Sequence, residues 1–141
     1  MVKEKFYIAY GSNLNKDQMK IRCPWAEVVG TGVIKGYELV YRRGFLTLDE
    51  KKDSIVHVGI WKITTRDEFY LDIYEGYPTF YDKKDVYVKM DDGASIKALV
   101  YIMREGFKKL GPREDYRKTC MKGYKDFGMD VEQLRRAEKD L

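Results

Sequence analysis

Between Ala26 and Arg42 the chain places three glycines in seven residues, Gly30, Gly32 and Gly36, inside stretches that otherwise read as strand, Val28-Val29…Val33-Ile34 and Tyr37-Glu38-Leu39-Val40-Tyr41. Glycine inside a strand marks a bulge or a tight bend. A run so often interrupted suits a curved sheet closing toward a small barrel better than a flat one. The neighbouring segments supply more strands. From Lys5 to Tyr10, residues Phe6, Ile8 and Tyr10 face one way and Tyr7 and Ala9 the other. Two faces this apolar predict an interior strand. Phe45 to Leu48 reads as a short strand, Asp49 to Asp53 as a charged loop, and Ile55 to Ile63 as a further strand. Val86 to Met90 and Ile96 to Met103 form a hairpin around Asp91-Asp92-Gly93.

Helices are announced by their ends. Asn15 is an N-cap candidate with Gln18 three residues on, and the helix must be short because Cys23 precedes Pro24. Thr65 and Glu68 form a second such pair, opening a helix that Gly76 ends and Pro78 forbids to continue. Pro112 opens a third, with Tyr116, Cys120, Gly123-Tyr124 and Phe127 on one face; Gly128 ends it and Asp130 caps a fourth through Lys139. Strands and helices do not alternate regularly, so the class is α+β, a curved and mostly antiparallel sheet with flanking helices. The length of 141 residues, without repeat or low-complexity linker, predicts one domain over 1–141.

Composition excludes more than it identifies. The net charge is only +4, and the densest basic pairs, Lys108-Lys109 and Arg135-Arg136, are interleaved with acids; no nucleic-acid partner is expected. Cys23 and Cys120 lie far apart in no metal-like spacing, which predicts free buried thiols. The start, Met1-Val2-Lys3-Glu4-Lys5, has no long apolar run and nothing approaches a membrane span, so the expected setting is cytoplasmic. Monomer and homodimer both remain open. Twelve Tyr, six Phe and two Trp predict a core or pocket lined with rings.

Two stretches carry chemistry. Tyr10-Gly11-Ser12-Asn13-Leu14 follows the first strand directly. A strand that turns into a helix here leaves backbone N–H groups pointing one way, suited to an anion or a developing oxyanion, or serves as a plain turn. Glu75 stands in the last turn of the second helix, where a carboxylate opposes the macrodipole. The single histidine, His57, lies in a predicted strand, and Gly-x-Ser-x-Gly is absent around Ser12. His57 therefore reads as a packed or surface residue and not as the base of a Ser-His-Asp triad, one His and two distant Cys are too few ligands for zinc, and no dinucleotide or P-loop fingerprint is present. A carboxylate is left to move protons, with neither cofactor nor metal.

In this order, Tyr10 to Leu14 and then Leu71-Asp72-Ile73-Tyr74-Glu75-Gly76-Tyr77-Pro78 resemble the gamma-glutamylcyclotransferase-like family, which includes the plant avirulence-induced-gene-like group. The resemblance runs from Phe6 to the Tyr116 segment and the C-terminal helices. It implies an enzyme of amide C–N lyase or acyltransferase type that converts a γ-glutamyl amine or amino acid to 5-oxoproline and free amine. By the same resemblance Tyr10, Gly11, Ser12, Asn13 and Leu14 cradle the substrate, Glu75 is the acid/base, and Tyr116 stands in the pocket wall. Tyr81 and Tyr101 read as core or rim. A binding domain that keeps the pocket without turnover, and a γ-glutamyl amide hydrolase-like enzyme, are the alternatives. Tyr77-Pro78-Thr79-Phe80 departs from the glutathione-pathway members of the family and leaves the leaving amine open.

Overall fold

A computed structural model describes residues 3–141; Met1 and Val2, where the reading of the N-terminus begins, lie outside the described residues. The strands are β1 (Glu4–Ala9), β2 (Glu27–Arg42), β3 (Phe45–Thr64), β4 (Tyr81–Met90) and β5 (Ser95–Met103). They close into a barrel in the order β1-β3-β2-β4-β5, antiparallel except at the seam, where β1 meets β5 in parallel at Tyr7 and Leu99. The helices are α1 (Lys16–Arg22), α2 (Thr65–Glu75), α3 (Glu114–Asp126) and α4 (Glu132–Lys139). As expected, β1 is interior, and Tyr7, Ile8 and Ala9 are all buried.

The glycine-rich run is one strand, not two. β2 continues through register shifts between Val28 and Gly30 and between Lys35 and Tyr37, so the glycines bend the strand without ending it. Gly36 takes φ 85°, the left-handed region, at the second shift. Gly32 serves a different need: a Cβ there would lie 2.5 Å from the Lys89 carbonyl oxygen, where β2 crosses to β4.

The charged segment Asp49 to Asp53 is likewise not a loop separating two strands. β3 runs through it, Asp49 and Glu50 pairing with Glu38 and Tyr37, and register with β2 resumes at Ile55. The charges that suggested a loop are met by solvent and by one ion pair: Glu50 to Asp53 are exposed, Asp53 is left-handed at φ 65°, and Asp49 pairs with Arg42 at 2.6 Å.

Local capping rules were right in kind and off by one in places. α2 is capped by Thr64 with Asp67, not by Thr65 with Glu68: Thr64 Oγ1 accepts from the Asp67 N–H and Asp67 Oδ2 from the Thr64 N–H. The Glu68 side chain instead pairs with Lys5 and Lys83. Asn15 caps α1, its Oδ1 accepting from the Gln18 N–H at 3.1 Å, but the Gln18 side chain accepts from Arg22 and closes no box. Helix α3 starts at Glu114, beyond Pro112. Asp130 accepts from the Glu132 N–H, yet the capping position is Val131. Gly76 is left-handed at φ 65° and stops α2 as expected. Both cysteines are free and buried. Among the described residues no helix is long and apolar enough to cross a membrane.

Candidate active site

β1 ends at Ala9, and two residues on Gly11 lies close to Leu46 on β3 and Tyr116 on α3. A Cβ at Gly11 would meet Leu46 Cδ1 and the Tyr116 hydroxyl, each at 3.3 Å. The chain then makes a single 3-10 turn, Ser12–Leu14, with Leu14 N–H donating to the Gly11 carbonyl and Asn15 N–H to that of Ser12. The N–H groups of Gly11, Ser12 and Asn13 have no acceptor among the described residues.

Asn13 locks this turn from three sides. Its Nδ2 donates to the Tyr7 hydroxyl at 2.9 Å, its Oδ1 accepts from Arg22 Nη1 at 2.9 Å, and its carbonyl accepts from Trp61 Nε1 at 2.9 Å. Ser12 Oγ shares a hydrogen bond of 2.9 Å with the Tyr74 hydroxyl. Ser12 therefore has a phenol beside it, not a base. Arg22 lies over the Tyr74 ring at 3.5 Å and ties α1, the turn and α2 together.

A cavity of about 270 Å³ opens beside the turn. Tyr10, Gly11, Ser12, Asn13, Glu75 and Tyr116 all line it. Leu14 does not: it is fully buried, and its side chain fills the space above Gly59 and against Gly123. The one apolar side chain in the motif packs into the core while its polar neighbours face the cavity. Tyr81 and Tyr101 line the cavity as well and are at the same time core, 5% and 2% exposed. Their hydroxyls are occupied, Tyr81's donating to the Leu46 carbonyl at 2.7 Å and Tyr101's to Asp72 Oδ1 at 2.6 Å. The Tyr116 hydroxyl accepts from the Leu46 N–H at 3.1 Å.

Among the described residues of the lining, Glu75 is the one carboxylate. Helix α2 ends at Gly76, so its last side chain is free to turn inward instead of following the helix surface. No hydrogen bond from the described residues holds its carboxyl. Burial among the rings pushes its pKa from 4.5 up to about 8, against the opposing pull of the Arg22 guanidinium. The surrounding phenols of Tyr7, Tyr10 and Tyr116 are raised well above their ordinary value, first by burial and in smaller part by the Glu75 charge, and stay neutral. His57 stands apart from the cavity: exposed on β3, its backbone N–H and carbonyl are both bonded by the Gln133 side chain, which fastens α4 to the barrel.

Residues 7–122 match the family model described as gamma-glutamyl cyclotransferase, AIG2-like. The chain belongs to this family. A structure titled gamma-glutamyl cyclotransferase superposes with a TM-score of 0.87 at 22% identity, covering 96% of this chain and 87% of the other. An uncharacterized protein from Homo sapiens gives 0.85 at 22% identity, covering 96% and 86%. An AIG2-like protein from Mus musculus gives 0.64 at 17% identity, covering 79% and 89%. At these identities the likeness establishes the gamma-glutamyl cyclotransferase-like fold. No curated protein matches the chain by sequence. Of the residues around the cavity, Tyr7, Tyr74, Arg22 and Trp61 were missed in the sequence. Arg22 alone left a signal, since it lies one helical turn beyond Gln18, to which it bonds.

Proposed function

We propose that this protein is a γ-glutamyl cyclotransferase in which Glu75 carries the protons and the Gly11–Asn13 backbone steadies charge. The observation that carries the reading is one carboxyl, Glu75, lining the same cavity as three N–H groups that have no acceptor among the described residues; burial pushes that carboxyl up to about 8. In a γ-glutamyl amide the α-amine and the γ-carbonyl already belong to one molecule, so proximity is built in and no enzyme nucleophile is needed. Ionised Glu75 accepts a proton from the α-ammonium; the freed amine attacks the γ-carbonyl, and the carbonyl oxygen takes up the charge beside the loop N–H groups. Protonated Glu75 then hands that proton to the leaving nitrogen as its C–N bond breaks. The second proton released by the ring nitrogen ends on the departing amine, giving 5-oxoproline and an ammonium. No step draws on a metal or a cofactor. A cavity of about 270 Å³ is small for a ligand site; it suits the glutamyl group and leaves the amine outside.

The decisive experiment is incubation with a panel of γ-glutamyl amides and detection of 5-oxoproline. Its absence with every amide, alongside binding of one, would favour a binding domain. Because Glu75 must be ionised to accept the first proton, kcat/KM should rise about tenfold per pH unit below 8 and level off above it. A profile already flat at pH 6 would remove Glu75 from the base role. Ser12, bonded to the Tyr74 phenol, is assigned to orientation. Ser12→Ala should cost turnover about 2–13-fold, the loss of one hydrogen bond, with no acyl-enzyme. A covalent adduct on Ser12 found by mass spectrometry with a slow substrate would overturn that assignment.

A further inference from the structure

Helix α2 is apolar where it faces water. Of its eleven residues Asp67 and Leu71 are buried, whereas Phe69, Tyr70, Ile73 and Tyr74 are exposed, Phe69 by 62% and Ile73 by 65%. Ile21, at the end of α1, and Trp25, just beyond it, are exposed by 78% and 72%. These side chains form one surface. Ile21, Trp25, Tyr70, Ile73 and Tyr74 line a groove of about 460 Å³ between the two helices, and the Phe69 ring meets that of Tyr70 edge to face at 5.6 Å.

A large aromatic side chain carries about 150–250 Å² of surface, so these exposures leave on the order of 700 Å² of apolar area in water. The largest apolar patch on an ordinary monomer is about 300–600 Å², and each partner in a stable interface contributes about 800 Å². The patch exceeds the first and, with its polar rim, reaches the second.

The charges of α2 say what fits against it. Arg66 stands in the first turn, where a cation opposes the helix dipole, and the last turn has no basic residue to meet the carbonyls there. The first-turn acids are committed elsewhere, Asp67 to the cap and Glu68 to Lys5 and Lys83. A second α2 laid antiparallel across the first corrects both ends at once. Arg66 of each copy then reaches the carbonyl end of the other helix beside Tyr77, while Phe69 and Tyr70 face Tyr74 and Ile73. The i, i+4 spacing of Arg66, Tyr70 and Tyr74, and of Phe69 and Ile73, makes the stripe self-complementary, as a two-fold contact requires.

We propose that this face is a two-fold interface, in which α2 packs antiparallel against α2 of a second copy of the chain. Tyr74 belongs both to the patch and to the cavity lining, so the interface adjoins the cavity wall in each copy. Pairing depends on no step of the proposed reaction.

Sedimentation velocity over about 1–100 μM protein should show a dimer with a Kd of about 10 μM or tighter, the weak end of what interfaces of this size reach. Ile73→Lys puts a cation in the last turn, where the dipole favours it, and opposite Tyr70 of the second copy. It should keep the melting temperature of the dilute protein and raise Kd at least about 100-fold, since two buried isoleucines are lost per dimer. Arg66→Glu isolates the charge argument. An acid in the first turn suits a lone helix, so the dilute protein should melt no lower than wild type while Kd rises about tenfold or more. A single chain throughout that concentration range, or a dimer that both substitutions leave intact, would overturn the proposal. So would a monomer that binds phosphatidylserine vesicles through Trp25 and Phe69, which assigns the patch to an anionic lipid surface.

Discussion

Replacing Glu75 with Gln is expected to lower kcat by about 10²–10⁴-fold, the share that general acid–base catalysis contributes, while KM moves little because the loop still holds the ligand. The same change should make the protein more stable, by an amount that grows as pH rises from about 4.5 to about 8. In the fold Glu75 keeps its proton up to about pH 8, whereas an ordinary Glu gives it up near 4.5. Between those values the folded state binds the extra proton, so wild-type stability falls with rising pH across that window and is level on either side of it. Gln has no proton to lose. The gain of Glu75→Gln over wild type should be absent near pH 4 and complete by pH 8, on the order of 2 kcal/mol once the partial exposure of Glu75 is allowed for. Paired denaturant titrations at pH 4.5 and 8, with 5-oxoproline assays on both proteins, check the two halves together. Near wild-type turnover in Glu75→Gln would show that another group moves the protons. Equal stability at both pH values would show that the carboxyl is solvated after all.

The second large effect comes from a glycine that touches no substrate. Gly123 lies in the middle of α3 where that helix rests on the Ser12–Leu14 turn. A Cβ there would stand 2.6 Å from the Asn15 backbone nitrogen and 2.7 Å from the Leu14 carbonyl carbon. Backbone atoms held by the turn and by the start of α1 cannot step aside as a side-chain end would. In an unobstructed helix Gly→Ala stabilises by roughly 1 kcal/mol; here Gly123→Ala should destabilise by about 1–3 kcal/mol, the usual cost of overpacking. The sign alone separates the two cases. Because the displaced atoms belong to the turn that presents the Gly11–Asn13 N–H groups, activity should fall as well, seen in KM and kcat together. A variant at least as stable as wild type would mean that α3 does not clamp the turn.

Much of this was legible in the chain. The alternation of β1, the Asp91-Asp92-Gly93 hairpin, the Asn15 cap and the left-handed stop at Gly76 follow from rules that act over a few residues, and the sequence reports such rules directly. Glu75 was legible as a candidate for the same reason: a carboxylate at the negative end of a helix is locally unfavourable, and the fold places it in the cavity lining. The three glycines announced curvature by themselves, since backbone freedom at Gly36 and bareness at Gly32 are properties of glycine alone.

What the local rules missed depends on partners far along the chain. Asp49 to Asp53 looked like a loop because charge is a statement about solvent; its extended state is imposed by pairing of β3 with β2, which a polar face permits. Leu14 was grouped with its motif, yet an apolar side chain is drawn to the nearest core, and that core exists only once Gly59 and Gly123 have left room for it. The three bonds that hold Asn13 come from Tyr7, Arg22 and Trp61, and the guanidinium over Phe80 comes from a hairpin turn thirty-seven residues earlier. The sequence by itself determined which residues could do chemistry. The barrel decided which of them meet, because desolvation of Glu75 arises only when rings from distant parts of the chain close around one space.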